Sequence, residues 1–396
     1  MNLNVSNPVG LPKPNKKSLN QSKLVSKYIR NKIKESHGMI SFKEFMHYAM
    51  YAKDIGYYSG DSLNFGKCGD FITAPEESVI FGHTIAKHCA NIIESIPNAS
   101  IVEFGAGTGS LAVSLLKKMQ EMDIQPRNYF IIDISENLIN RQKQKISKDI
   151  PELSSLVNWV TRMPENFQGI VIANEVADAF PFERFIRADD EVLQVYVKAD
   201  ENKFSYDLIP AEKKLNNYVI SLEQMNGKRL KNGYLSEVSF EAEQWVKNIA
   251  SKINRGMLMI FDYGLSRKEY YSPDRDRGWT QCHFKHYAHN EPLIYPGIQD
   301  ITTWVDFSLL AEAANSQGMK INGFLNQSQF IINSGIINEL ENFDQMDTKQ
   351  QLTLTRQIKL LTLPNQMGEN FKCLSLTKDF SPRDNDFVNG DRSYVL

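Results

Sequence analysis

Residues 101–110 read IVEFGAGTGS, an apolar run that closes on three glycines spaced two apart. Ile101, Val102 and Phe104 have the composition of a buried strand, and LAVSLLKKM after the glycines has helical spacing. Leu111, Leu115 and Met119, four apart, make the core stripe of that helix. A strand that turns through glycines into a helix is where α/β proteins hold nucleotide-like ligands. The dinucleotide form of such a turn is GxGxxG, and here the third glycine, Gly109, falls one place early after Gly105 and Gly107.

Two acids narrow the ligand. Glu103 lies two residues before the first glycine, a poor place for a pyrophosphate but a good one for an ammonium or sulfonium. Asp133 ends the second apolar run, YFIIDI (129–134), and its two oxygens match the two hydroxyls of a ribose. Ribose and positive charge without phosphate describe S-adenosylmethionine. From these residues alone a dinucleotide, or a tight turn with no ligand, stays open.

Strand and helix alternate outward from the turn. A helix over 79–95 precedes the strand 100–104, and a helix over 109–121 follows it. After 129–134 come a helix over 136–148 and strands near 156–160 and 169–174. That order predicts a parallel, doubly wound sheet. Residues 183–208 break it, alternating polar and apolar at period two as a small antiparallel insertion does. A helix at 239–252, a buried strand at 256–264, a helix at 305–318 and a strand at 371–377 complete the pattern. Upstream, 21–34 is helical in spacing, and Ser41 with Glu44 forms a capping box for a helix over 41–51.

The bulk numbers exclude several classes. The 396 residues carry 45 basic and 47 acidic side chains, a formal charge of −2, which argues against a coat for nucleic acid or an anionic membrane. No apolar stretch is long enough to span a bilayer, so a soluble protein without membrane insertion is expected. Cys68, Cys89, Cys282 and Cys373 lie far apart, which favours a reducing compartment over a disulfide framework. The start of the chain is basic, with Glu35 its first acid. It reads as a flexible solvated leader ahead of an organellar transit peptide, because it is Lys-rich and LPKP interrupts any helix there.

Further motifs accompany the glycine turn in order: GYYSG with FGKCGDFITAPEESVIFG (56–82), VIANEVADAFPFERF (171–185), DYG (262–264), YPGIQDITTWVDFSLLAEA (295–313) and LLTLPNQMGENFKCLSL (360–376). Together they resemble the MidA-like family of class I S-adenosylmethionine-dependent methyltransferases, from about Leu24 to Thr377. The family has bacterial members and a mitochondrial branch linked to assembly of respiratory complex I. The resemblance implies an α/β, Rossmann-like fold with a mostly parallel central sheet, an N-terminal helical extension and a small antiparallel insertion. It implies a flexible leader at 1–20, a helical segment and cofactor-side loop at 21–98, and a cofactor-binding core at 99–182. A β-rich substrate-side element at 183–238 and the remainder of the core at 239–396 follow.

Glu103, Gly105, Gly107, Gly109 and Asp133 match the family's cofactor turn, and Gly69, Asp70 and Thr73 belong to a signature expected near the cofactor. Asn174, Glu175 and Asp178 match its NE-x-x-DA-x-P element, where class I methyltransferases place active-site groups. A helical turn there would put Glu175 and Asp178, three apart, on one face to grip a guanidinium, with Asn174 orienting a nitrogen. The competing reading makes Asn174 and Asp178 caps of that turn. The implied activity is methylation of a protein arginine, with a complex I subunit homologue as one acceptor. The alternatives are an S-adenosylmethionine-binding assembly factor with little turnover and, further off, a nicotinamide-dependent oxidoreductase. A bacterial cytoplasm is the expected setting and a mitochondrial matrix the alternative, with the oligomeric state unassigned.

Three other features bear on the chemistry. The family's histidine in DIT-x-H-V is Trp304 here, so no proton transfer is assigned to it. Cys282, His283, His286 and His289 match no common zinc spacing and read as polar loop residues, with no metal expected. Asp262 is balanced between facing substrate and forming a turn.

Overall fold

The computed structural model describes residues 10–60, 73–201, 203–341, 343–383 and 386–396. Gly69 and Asp70 lie outside them. The chain forms two compact units, one from residues 72–178, 243–266 and 305–396, the other from 1–71, 179–242 and 267–304.

The first unit is built on an eight-strand sheet in which the short strand Val305–Asp306 pairs, off the main path, with the end of Ile253–Leu265. The main path holds β1 (Ser100–Phe104), β2 (Tyr129–Ile132), β3 (Val157–Trp159), β4 (Phe167–Asn174), β5 (Ile253–Leu265), β6 (Lys320–Asn326) and β7 (Phe371–Lys378). Their order across the sheet is β6-β7-β5-β4-β1-β2-β3. Strands β1 to β5 run parallel, and β7 and β6 close one edge antiparallel. The central strands are near-continuous apolar runs because both faces are covered, as parallel sheets require. Helices α1 (Val79–Ser95) and α2 (Ser110–Glu121) cover one face, where Phe81, Ile85, Cys89, Leu111, Leu115 and Met119 join Ile101, Ile131, Ile172 and Met259 in one core.

Gly169 marks how closely these strands approach. It sits opposite Ser100 on β1 and Gly256 on β5. Its φ is +138°, and a Cβ there would lie 1.9 Å from the Ser100 carbonyl oxygen. Gly169→Ala is therefore expected to destabilise this unit by about 3 kcal/mol or more, read as a lower midpoint in urea unfolding. A midpoint equal to wild type would refute the argument.

The strand order reverses between β1 and β4, so the loops leaving their carboxyl ends open the crevice where such sheets hold ligands. The glycine turn leaves β1, Asn174–Asp178 leaves β4, and Asp262 lies at the end of neighbouring β5.

The second unit holds helices Lys16–Glu35 and Phe42–Tyr51 and an antiparallel sheet. The strand Val192–Ala199 pairs with Phe204–Pro210 on one side, and with Glu183–Arg187 and Met39–Ser41 on the other. Tyr234–Val238 extends the sheet beyond Glu183–Arg187. Ser41 and Glu44 form the reciprocal capping box. The first helix begins at Lys16, so residues 16–20, expected in the flexible leader, are helical. Asn15 accepts the Ser18 N–H at 2.8 Å and starts the helix where the proline-containing stretch ends. Among the described residues no helix is long and apolar enough to cross a membrane.

Candidate active site

The glycine turn is left-handed at each glycine: φ is +63° at Gly105, +55° at Gly107 and +90° at Gly109. Side chains rarely adopt these angles, so the spacing two apart answers a backbone requirement. The Gly105 N–H donates to the Ile132 carbonyl at 2.9 Å, tying the turn to β2. A Cβ at Gly105 would come within 2.9 Å of Val176. The bare glycine leaves that cradle open.

One residue fixes this turn to Asp133. Gln142, fully buried on the helix Glu136–Asp149, donates through Nε2 to the Gly107 carbonyl at 3.0 Å and to Asp133 Oδ2 at 2.8 Å. Its Oε1 accepts the Trp159 indole N–H at 2.9 Å. Asp133 Oδ1 also accepts the Ser135 N–H. Burial raises the Asp133 carboxyl above its ordinary range, and these donors offset part of that. Gln142 was missed in the sequence although a signal existed. It falls between Leu138 and Ile146 at four-residue spacing, a polar side chain in an apolar stripe.

Glu76 was missed too, although it ends the GDFITAPE signature. Its carboxylate accepts the Thr108 hydroxyl from within the glycine turn. Thr73, buried, occupies the N-cap position of the one-turn helix Ala74–Glu77 without a side-chain capping bond.

Glu103 differs from an exposed ligand carboxylate. It is buried against Tyr129, whose hydroxyl donates to it at 2.7 Å, and its pKa is pushed up to about 8. Burial is the main cause, reinforced by the charges of Asp133 and Glu76. At neutral pH it is mostly protonated, and a neighbouring cation would draw the proton off.

At the end of β4 the expected helical turn is absent. Glu175 is left-handed with φ +51°, and a 3₁₀ turn follows at Ala177–Ala179. Glu175 and Asp178 therefore do not share a helical face. The Glu175 N–H donates to the Phe261 carbonyl on β5 at 2.9 Å, and this long-range bond replaces the local helical one. A residue from outside the turn holds its backbone. Asp262 does that work: its Oδ2 accepts the N–H groups of Ala177 and Asp178 at 3.0 and 3.1 Å.

The result gathers three carboxyls. Asp262 is fully buried, and burial with the charges of Asp178 and Glu175 raises its pKa well above the ordinary range. Asp178 is buried and Glu175 only partly so. Asn174 donates from Nδ2 to Glu175 at 3.3 Å. Its Oδ1 is buried and has no hydrogen-bond partner among the described residues, an acceptor awaiting an N–H.

The other candidates belong to the second unit. Cys282 and His283 lie on the strand Gln281–Phe284, and His289 on Tyr287–His289. Lys285 and His286 make the left-handed two-residue hairpin between them. Burial lowers the His283 pKa to about 4, so it is neutral at pH 7. Among the described residues no three His, Cys, Asp or Glu side chains converge as metal ligands. Trp304 stacks on Trp279 with ring centroids 4.6 Å apart, and Arg275 lies over the Trp279 ring.

Comparison with known proteins agrees with this geometry. Residues 84–325 match the family described as "Putative S-adenosyl-L-methionine-dependent methyltransferase". A crystal structure from Burkholderia thailandensis with S-adenosyl-homocysteine bound is 31% identical, with a TM-score of 0.91 over 98% of this chain and 100% of that one. The protein arginine methyltransferase NDUFAF7 homologue of Drosophila melanogaster, named as mitochondrial, is 27% identical over 89% of this chain and 84% of its own length. The Homo sapiens protein of the same name is 24% identical over 88% and 82%. The open Gly105 cradle, the Asp133 carboxyl and the missing phosphate-type glycine spacing suit S-adenosylmethionine, as the sequence motifs imply. The chain belongs to the MidA-like family of S-adenosylmethionine-dependent methyltransferases.

Proposed function

We propose that this methyltransferase modifies an arginine side chain of a protein. The observation that carries the reading is the cluster of Glu175, Asp178 and Asp262 at the ends of adjacent strands, whose mutual repulsion calls for a cation. A guanidinium suits it, being always charged and able to offer a fork of donors. The names of the curated relatives support the same acceptor.

Bound S-adenosylmethionine supplies a methyl group already activated by its sulfonium. The protein's task is alignment, and such positioning is worth on the order of 7–11 kcal/mol. Removing a guanidinium proton beforehand at pH 7 would cost about 8 kcal/mol. Glu175, the most accessible of the three acids, avoids that cost by holding the guanidinium and accepting its proton as the N–C bond forms and the C–S bond breaks. Asn174 Oδ1 accepts an N–H of the attacking nitrogen and fixes its direction. Gly105, Gly107, Gly109, Asp133 and Thr73, with Gln142 and Glu76 behind them, hold the cofactor.

The complex I link of the family's mitochondrial branch makes a homologous subunit the first acceptor to try. A bacterial cytoplasm is the proposed setting, supported by the 31% identical protein of Burkholderia thailandensis, and a mitochondrial matrix is the alternative that the names of the other relatives support. Incubation with methyl-labelled cofactor and a cell extract, followed by mass spectrometry, should reveal methylarginine in a protein. Tight binding of S-adenosylhomocysteine with no methylated protein would favour the assembly-factor reading instead.

A further inference from the structure

The end of β5 reaches the Asn174–Asp178 turn because Asn174 registers with Phe261, which leaves Asp262 and Tyr263 level with the residues beyond β4. Asp262 holds the turn's backbone through the N–H groups of Ala177 and Asp178, and its own Oδ1 accepts the Tyr263 N–H at 2.9 Å. The Tyr263 hydroxyl donates to Asp178 Oδ2 at 2.5 Å. Its ring is fixed edge-on against Phe371 of β7, with centroids 5.5 Å apart.

We infer that Asp262 and Tyr263 are positioning residues for methyl transfer, one fixing the backbone of the turn and the other the carboxylate of Asp178. This rests on reading Asn174, Glu175 and Asp178 as the acceptor site. Their arrangement is then set by a strand whose residues lie some 85 positions away in the chain. A hydroxyl donating to a carboxylate favours its ionised form and limits its rotation. Among the described residues the charge of Glu175 also bears on Asp262, and Lys372 on β7 registers with it across the sheet. The Lys372 ammonium donates to the carbonyls of Glu369 and Asn370.

Tyr263→Phe in the full chain tests the inference, since it keeps the ring and removes the donor. Loss of a hydrogen bond to a charged group predicts a fall in kcat/KM of roughly 10- to 100-fold. The acid limb of the pH profile should move upward, with S-adenosylhomocysteine affinity unchanged. Carbon-13 NMR of labelled aspartate should show the Asp178 carboxyl titrating at higher pH in the variant. An unmoved Asp178 titration, or a cofactor affinity that falls together with kcat/KM, would overturn the inference. In wild-type protein that forms no methylarginine the acceptor reading fails, while the Asp178 titration still decides the Tyr263 contact.

Discussion

Glu175→Gln is expected to lower kcat/KM by about 10³-fold, the middle of the range for losing a proton acceptor, with S-adenosylhomocysteine binding left intact. Glutamine preserves the size of the side chain and can still meet Asn174, so the change isolates the charge and the proton-accepting oxygen. The backbone supports so specific an assignment. A left-handed conformation is uncommon for glutamate, and here it is secured by the bond to the Phe261 carbonyl. An uncommon conformation held by a long-range contact aims the side chain, whereas a solvated loop would not. Steady-state kinetics and calorimetry with the product cofactor measure the two halves of the prediction. A variant within a few-fold of wild type would remove Glu175 from the chemistry.

The second large effect is on stability. With a folded pKa of about 8 against an ordinary 4.5, Glu103 keeps its proton in the native state over a window where the unfolded chain has lost it. The native state then binds more protons, so stability falls as pH rises through that window. Between pH 5 and 8 this amounts to about 4 kcal/mol at 1.36 kcal/mol per unit. Glu103→Gln, which stays neutral, should gain on wild type by that amount across the same range and show no growing difference below pH 4.5. His88 in the same unit has the opposite sign. Burial lowers its pKa to about 4, so its contribution rises with pH up to about 6.5. Taking the difference between variant and wild type, by urea unfolding of the cofactor-free protein, cancels the His88 term. A difference that does not change with pH would contradict the burial of Glu103 as a neutral acid.

The sheet was legible because its strands announce themselves: IVIA within GIVIAN and MLMIF within GMLMIFDYG are apolar without interruption, as strands covered on both faces are. The glycine turn was legible because three left-handed positions leave a residue-type signature. The Asn174–Asp178 turn was misread because local spacing speaks only for local bonds. Its helix is pre-empted by Phe261 and Asp262, from a strand far along the chain. Asp262 was noticed, yet its part as the cap of a distant turn depends on the β4–β5 register, which no motif records. Gln142 was passed over for a related reason. A lone polar residue in a helical stripe has meaning only once its partners, Gly107, Asp133 and Trp159, are brought around it.

The position of β7 bears on how the chain is made. It is the last strand in sequence yet lies inside the sheet, between β5 and β6. A chain emerging from the ribosome displays Met257 to Phe261 on an open, apolar strand edge for the time it takes to add more than a hundred residues. Open edges of that kind recruit other chains. The protein thus passes through a vulnerable interval during synthesis, which ends only when β7 covers the β5 edge.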